Sequence, residues 1–256
     1  MILPSFEFKA RARAALKGNW QSALVVVFFS GALLTLLDVV RSIVLFRAAQ
    51  YLYLGLYESY VQEVLSIPDS AWALQAALAL VTLVFTPALT LGANRYFIHR
   101  LHGEDLGVGC LLSRMRWLGR ALWLYVLMGV KVFLWSLLLI VPGVIAALRY
   151  SMAPYYMAED PALSAGEAIQ KSKETMDGLK ASFFLLQLSF LLWPLAINAA
   201  QMVLESLGTV VALVAGLFMQ LALSTYRTAA STAFYVTVSR DPRPEAQEPS
   251  VGGDEG

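Results

Sequence analysis

Charged residues are scarce in this sequence, and long segments contain none of them. They make up 14% of the 256 residues, against roughly 25% in soluble domains. Five segments have no Asp, Glu, Lys or Arg at all: 18–37, 70–94, 132–148, 181–204 and 206–226. A bilayer core about 30 Å thick needs about 20 apolar residues per helix. The absence of charge over these lengths excludes a soluble domain and predicts an all-α, polytopic transmembrane helical bundle.

Cysteine and histidine are almost absent as well. Cys110 is the sole cysteine, which excludes an intramolecular disulfide and a thiolate metal cluster. His99 and His102 are the two histidines, and with Glu104 and Asp105 they match no strong zinc spacing. No nucleophile-elbow, phosphate-loop, dinucleotide-binding or zinc-protease motif occurs. The sequence therefore predicts no metal, no cofactor and no enzymatic activity, and its small basic loop does not indicate nucleic-acid binding.

The apolar segments predict six spans in a single domain that covers residues 1–239. Their approximate bounds are 20–45, 72–94, 121–141, 143–158, 181–204 and 209–238. The segment 143–158 is short and holds Arg149, so it either crosses the membrane or re-enters without crossing, which leaves five spans. Residues 240–256 are rich in proline, glycine and acidic residues, and we expect them to form a disordered cytoplasmic tail.

The cations are concentrated on segments that six spans would place on one side of the membrane. Lys9, Arg13 and Lys17 form a stripe opposite Phe8 and Ala12, which predicts an amphipathic interfacial helix over 6–17 resting on anionic lipid. The connection 95–120 and the segment following 158 carry most of the other cations. Positive charge marks the cytoplasmic side, so both termini are predicted to be cytoplasmic.

A second amphipathic helix is predicted between the fourth and fifth spans. Ser164 followed by Glu167 fits a capping box, in which the hydroxyl and the carboxylate satisfy free N–H groups reciprocally. The helix over 164–177 has an apolar face and a charged face, and the charged face includes Lys171, Lys173 and Glu174. This face is either a docking surface for a protein partner or only the polar side of a helix that lies on the bilayer.

Ionisable residues inside the predicted spans are the candidate functional residues, because a charge at mid-depth costs roughly 2.5–3.5 kcal/mol. Lys131 lies ten residues before Val141, about 15 Å from that end of its span. Arg149 follows a predicted helix break at Pro142 and Gly143, where unpaired carbonyls require protein or water around them. Lys131 and Arg149 therefore predict a polar site inside the membrane.

The same residues also have structural interpretations. Lys131 can face the bundle and bond to carbonyl groups or to an acid on another helix. Arg149 can pair with Asp38 or Glu205, which complete the candidate polar site, and such an ion pair can be purely structural. Arg227 lies toward the cytoplasmic end of the last span, and we expect its side chain to reach the headgroups.

The sequence around the third and fourth spans resembles a known family. Residues 134–145 read LWSLLLIVPGVI and residues 149–155 read RYSMAPY, while the opening 17–20 reads KGNW and the closing 233–235 reads AFY. These segments resemble the DUF975 family of uncharacterised bacterial integral membrane proteins. The resemblance implies a protein of the bacterial cytoplasmic membrane and supplies no activity.

Broken helices combined with buried charge are a common way to build a transporter site. The sequence therefore predicts a non-enzymatic integral membrane protein that binds or translocates a small amphiphilic or anionic solute or a lipid. The alternative is an accessory or scaffold subunit that docks a protein partner through the helix over 164–177. Membrane lipids are expected partners under either hypothesis.

Overall fold

Helices form nearly all of the described chain. The computed structural model describes residues 4–31, 58, 59, 61, 69–204, 206 and 208–240, and no strand occurs within them. The predicted all-α fold is therefore confirmed for these residues. The end of the first predicted span and the tail after Arg240 lie outside the described residues.

Nine α-helices and one 3-10 helix carry the described part of the chain, apart from the isolated positions 58, 59 and 61. In chain order they are α1 (Ser5–Leu16), α2 (Trp20–Gly31), α3 (Asp69–Leu101), the 3-10 helix (Val108–Trp117), α4 (Leu118–Leu138), α5 (Ile140–Tyr150), α6 (Ala153–Glu159), α7 (Ala165–Thr175), α8 (Lys180–Leu204) and α9 (Thr209–Arg240).

Four stretches of the described chain are long and apolar enough to cross a membrane. They are Gln75–Leu101, Val108–Leu138, Lys180–Leu204 and Val211–Ser239. These stretches coincide with four of the six predicted spans, so the protein is a membrane-embedded helical protein. The described part of the first predicted span, Trp20–Gly31, is a shorter apolar helix.

The helix that contains the second predicted span is longer than that span, because α3 continues to Leu101. Tyr96, Phe97 and Ile98 are buried, so this last part of the helix has a packed apolar face. The glycine-rich connection that follows is not an open loop over its whole length, since Val108–Trp117 forms the 3-10 helix and packs on α3. The basic connection is therefore a packed part of the fold.

The sequence predicts a helix break at Pro142 and Gly143, but this position is wrong. In the structure, the break between α4 and α5 lies at Leu139. Leu139 has an extended backbone, with φ −165° and ψ 152°. Pro142 is the third residue of α5, where its missing N–H would have no partner within the helix. Gly143 faces Ser136, and a Cβ at Gly143 would overlap that serine. The glycine thus permits a close hairpin instead of breaking a helix.

The α4–α5 hairpin is antiparallel along its whole length, with α6 extending the second arm. Near its middle, the Lys131 Nζ lies 6.0 Å from the centroid of the Tyr150 ring. At its base, Arg120 Nη1 donates to the carbonyl oxygen of Pro161 at 3.0 Å. Both arms therefore start and finish at the same end of the bundle, and their tip at Leu139 points away from it.

The surface helix predicted over 164–177 is present as α7. Ser164 and Glu167 form the predicted capping box, and their hydrogen bonds hold the pKa of the Glu167 carboxyl below its usual value. Ser172 is buried and fixes α7 to the joint between α5 and α6. Its Oγ donates to the Arg149 carbonyl oxygen at 2.7 Å and accepts from the Met152 N–H at 3.1 Å.

The amphipathic helix α1 packs against protein as well as presenting a basic face. Phe8 is buried and meets the Phe234 ring of α9 edge-on, with ring centroids 5.0 Å apart. The Tyr226 hydroxyl donates to the Lys9 carbonyl oxygen at 3.3 Å. Arg11 donates from Nη1 to the Thr237 hydroxyl at 2.9 Å. The N-terminal helix is thus attached to the C-terminal half of α9.

The two ends of the bundle differ in composition. One end contains most of the buried core, and we call it the basic end. It is formed by α1, the C-terminal part of α3, the 3-10 helix, α6, α7 and the C-terminal part of α9. Beyond it, the helices carry exposed apolar residues on their outer faces, among them Leu80, Leu83, Leu137, Ile140, Leu192, Val203 and Phe218. This apolar belt is the surface that a bilayer covers.

Candidate functional site

A polar cavity of about 290 Å³ lies at the junction of the basic end and the apolar belt. Helices α2, α3, α4, α6, α8 and α9 all contribute to its wall. The lining residues are Val27, Ser30, Thr90, Ala93, Asn94, Tyr125, Ser151, Pro154, Tyr155, Phe183, Gln187, Arg227, Thr228 and Ser231. Most of these side chains are polar, although the helices that carry them are otherwise strongly apolar.

The neutral side chains of the cavity provide an arranged set of hydrogen-bonding groups. Gln187 donates from Nε2 to the Ser231 hydroxyl at 3.0 Å, which fixes α8 against α9. Asn94 is only 5% exposed. Tyr155 is buried and stacks on Tyr235, with ring centroids 5.1 Å apart. Amide and hydroxyl groups both donate and accept hydrogen bonds, so this wall offers bonding groups to a polar ligand or to water.

Arg227 is the cation of this cavity. Its side chain is exposed and lies near the buried Tyr155 hydroxyl. Among the described residues, no carboxylate forms an ion pair with it. Arg227 stands 18 residues after Thr209, which is about 27 Å along α9. Arg227 is therefore a positively charged residue of the cavity lining.

Sequence reasoning did not identify this site. It assigned Arg227 to the headgroups and gave no weight to Asn94 or Gln187. The signal in the sequence is that each of these residues interrupts an apolar helix with a strong hydrogen-bonding group. Their convergence depends on how α3, α8 and α9 pack, which no spacing along one helix reveals.

The structure places the predicted intramembrane residues elsewhere. Lys131 and Arg149 stand on the two arms of the hairpin, and neither lines the polar cavity. The Arg149 Nε is buried and has no hydrogen-bond acceptor in the part of the chain that the structure describes. Asp38 and Glu205, the predicted partners, lie outside the described residues.

Lys131 lies at the level of the charged helix α7. Lys173 of α7 approaches the same Tyr150 ring as Lys131, with its Nζ 5.9 Å from the ring centroid. Helix α7 carries exposed charged residues, which are expensive in hydrocarbon. Lys131 therefore lies close to a charged helix, and its predicted depth in the membrane stays a prediction.

The predicted partner surface on α7 is partly occupied by contacts within the protein. Lys171 Nζ lies 5.9 Å from the centroid of the Tyr156 ring, and Lys173 is half-buried over Tyr150. Glu174 is exposed and accepts a hydrogen bond from Gln170 at 2.7 Å. A protein partner at this face stays a prediction, and Lys171 and Glu174 are its most accessible charges.

The histidines form a local contact at the C-terminal end of α3. His99 Nδ1 lies 2.5 Å from Glu104 Oε2, and this hydrogen bond holds the pKa of the Glu104 carboxyl below its usual value. In the described ranges, no group of three or more His, Cys, Asp or Glu side chains is arranged to hold a metal ion. The contact between His99 and Glu104 belongs to the turn that follows α3.

Comparison with known proteins identifies a family for part of the chain. No curated protein and no solved structure matches it. A family model described as "Protein of unknown function (DUF975)" matches residues 137–241, which include α5 to α9 and the cavity residues that α6, α8 and α9 contribute. The resemblance seen in the sequence is thus confirmed: residues 137–241 of this chain are similar to the DUF975 family, whose function is unknown.

Proposed function

We propose that this protein binds a small anionic or amphiphilic ligand in the polar cavity, with Arg227 as the group that recognises the negative charge. The observation that carries the proposal is the exposed guanidinium in a cavity that also presents amide and hydroxyl groups. Arginine offers five N–H donors in a planar fork that fits phosphate and carboxylate groups. Among the described residues that line the cavity there is no carboxylate, so these residues do not repel an anion.

We further infer that α2, α3, α8 and α9 cross the membrane, whereas the α4–α5 hairpin enters and leaves on one side. Leu137 is 74% exposed and Ile140 is 80% exposed at the hairpin tip, which suits contact with lipid. From Tyr150 to Ile140, α5 extends about 15 Å, half the thickness of a bilayer core. The charged helix α7 beside Tyr150 supports a water-facing position for the hairpin base.

The position of α8 supports the same topology. If both arms of the hairpin crossed the membrane, Lys173 and Lys180 would lie deep in hydrocarbon, at a cost of roughly 2.5–3.5 kcal/mol for each lysine. The exposed apolar residues near the end of α8, such as Val203, would then extend into water. Four crossings and one re-entrant hairpin place the basic end on a single side, which the positive-inside rule makes the cytoplasm of a bacterial cell.

Cysteine accessibility tests this topology. In a Cys110→Ser background, Leu139→Cys is expected to resist a membrane-impermeant maleimide added outside intact cells, because the hairpin tip stays within the inner leaflet. Ser206→Cys, between α8 and α9, should react from outside, and Gln170→Cys on α7 only after permeabilisation. Reaction of Leu139→Cys from outside at the rate of Ser206→Cys would show that the hairpin crosses.

Binding of dodecyl phosphate by the protein in an uncharged detergent tests the proposed function. The Arg227→Gln variant is expected to bind this probe about 10–100-fold more weakly, because hydrogen bonds to a charged group contribute roughly 1.5–3 kcal/mol. The matched control is Arg116→Gln, which removes an exposed arginine of the 3-10 helix outside the cavity. Equal losses in the two variants would mean that binding follows overall charge and not the cavity.

A further inference from the structure

A second cavity adjoins the polar one and is almost entirely apolar. It has a volume of about 370 Å³ and lies between α3 and α4. Its lining residues are Ala79, Thr82, Leu83, Thr86, Pro87, Leu122, Tyr125 and Val126. We call it the α3–α4 groove. Tyr125 lines both the groove and the polar cavity, so the two spaces meet at that ring.

The α3–α4 groove extends from the polar cavity into the apolar belt. On α3, Thr90 lines the polar cavity and Ala79 lines the far part of the groove. These two residues are 11 positions apart, about 16 Å along the helix. The side chains of Leu83 and Val126 are 61% and 40% exposed, so the groove is open along its length toward the surrounding lipid. A chain in the groove would thus lie within the bilayer.

The Leu83 carbonyl and the Thr86 hydroxyl are polar groups of α3 in the part of the groove that contains Pro87. Proline has no N–H, so the Leu83 carbonyl oxygen lacks its usual helical donor. The Thr86 Oγ1 is buried and makes no hydrogen bond within the described chain. A hydroxyl group that is free to donate can bond to an ester or phosphate oxygen. The groove is therefore polar where it joins the cavity and apolar beyond it.

A polar cavity with a cation, followed by an apolar groove, matches the charged head and the alkyl chain of a single-chain anionic amphiphile. We propose that the ligand of the polar cavity is such a molecule, with its anionic head at Arg227 and its alkyl chain in the α3–α4 groove. The inference rests on the proposed function and adds the ligand class and the place of its tail. Each cavity is close to the lower limit of about 300 Å³ for small-molecule sites, and the two together provide separate places for a head and one chain.

Position within the bilayer also favours this ligand. In the proposed topology, Arg227 lies about 27 Å along α9 from Thr209, so the polar cavity is near the cytoplasmic surface of a bilayer about 30 Å thick. The groove leads from the cavity toward the membrane interior, which is how the heads and tails of lipids are arranged. An amphiphile can thus enter sideways from the leaflet without leaving its preferred environment. Because lipid tails are as apolar as the groove, the chain gains little from burial, and selection depends on the head and on the shape of the groove.

Photo-crosslinking tests the position of the tail. The probe is dodecyl phosphate with a diazirine near the end of its chain, added to the full-length protein in uncharged detergent. We expect the label on α3 between 79 and 87 and on α4 between 122 and 126. Excess dodecyl phosphate should compete with the probe, and inorganic phosphate should compete weakly. Equal competition by inorganic phosphate would show that the site binds the head alone, which would overturn the inference.

Two variants that fill the groove test the position of the alkyl chain separately, so the outcome does not depend on how one substitution affects folding. Leu122→Trp and Ala79→Trp should each reduce labelling about tenfold, which corresponds to about 1.4 kcal/mol, because the indole ring occupies the space that the alkyl chain needs. The control is Val144→Trp, which lines a separate apolar groove between α5 and α8. If labelling falls in Arg227→Gln but not in the groove variants, the inference fails and the proposed function stands. If labelling is unchanged in all of them, both fail.

Discussion

Replacement of Arg114 by methionine is expected to lower the free energy of unfolding by about 2–4 kcal/mol. Arg114 is only 6% exposed. Its Nη2 donates to the carbonyl oxygens of Ala158 and Glu159, the second at 3.2 Å. These are the last carbonyls of α6, which have no partner within their helix. Methionine keeps the apolar bulk and removes the Nη2 donor, so the buried Ala158 and the adjacent Glu159 carbonyl oxygens lose their hydrogen bonds to Arg114.

A thermal unfolding experiment in detergent, followed by circular dichroism, measures this effect. The midpoint should fall by roughly 5–15 °C, since 1 kcal/mol corresponds to about 2–4 °C in a protein of this size. Arg116→Met is the matched control, because Arg116 belongs to the same 3-10 helix and is exposed. If the two variants have the same midpoint, the hydrogen bonds of Arg114 do not hold the 3-10 helix against α6.

The sequence predicts the helices of this protein well because their signals are local. Absence of charge over about 20 residues predicts an apolar helix long enough to span a membrane, and four of the six predicted spans coincide with such helices in the structure. The capping box of Ser164 and Glu167 needs only residues three positions apart, and it begins α7 as predicted. These features depend on neighbours in the chain and not on packing between distant segments.

The contacts of the α4–α5 hairpin could not be predicted from local sequence signals, because they join residues that are distant in the chain. The depth of Lys131 was calculated from its distance along a helix assumed to cross the membrane. In the structure, α4 is paired with a returning arm, and Lys131 lies beside Tyr150 and the charged helix α7. Pro142 indicates a helix break, yet it occupies the first turn of α5, where proline is tolerated. The sequence therefore predicts that the helix breaks in this region, but it does not predict that the break lies at Leu139.

The candidate site could not be assembled from the sequence, because its residues come from six helices. Asn94, Gln187 and Arg227 lie on α3, α8 and α9, and each can be explained separately as a surface or interface residue. Only their arrangement around one cavity distinguishes them from other polar residues in apolar helices. The cavity also combines helices within the family match with α2, α3 and α4, which precede it, so the site depends on the whole described bundle.

Gly92→Ala is expected to destabilise the protein by about 3 kcal/mol, because overpacking a close contact has costs of this order. Gly92 lies in α3 where the 3-10 helix crosses it. A Cβ on Gly92 would overlap the Leu111 carbonyl group and lie 2.9 Å from the Leu111 Cα. These are backbone atoms, so no side chain can rotate away to relieve the contact. The 3-10 helix would have to move away from α3 or lose its packing.

Gly129→Ala in α4 provides the opposite case within the same protein. No atom outside its own helix lies within 4 Å of a Cβ at Gly129, and alanine in a helix is favoured over glycine by roughly 0.5–1 kcal/mol. Thermal unfolding in detergent should therefore show a lower midpoint for Gly92→Ala and an equal or higher one for Gly129→Ala. If Gly92→Ala were as stable as Gly129→Ala, the close crossing at Leu111 would be contradicted. The position of the 3-10 helix, and with it the Arg114 contact to α6, would then need revision.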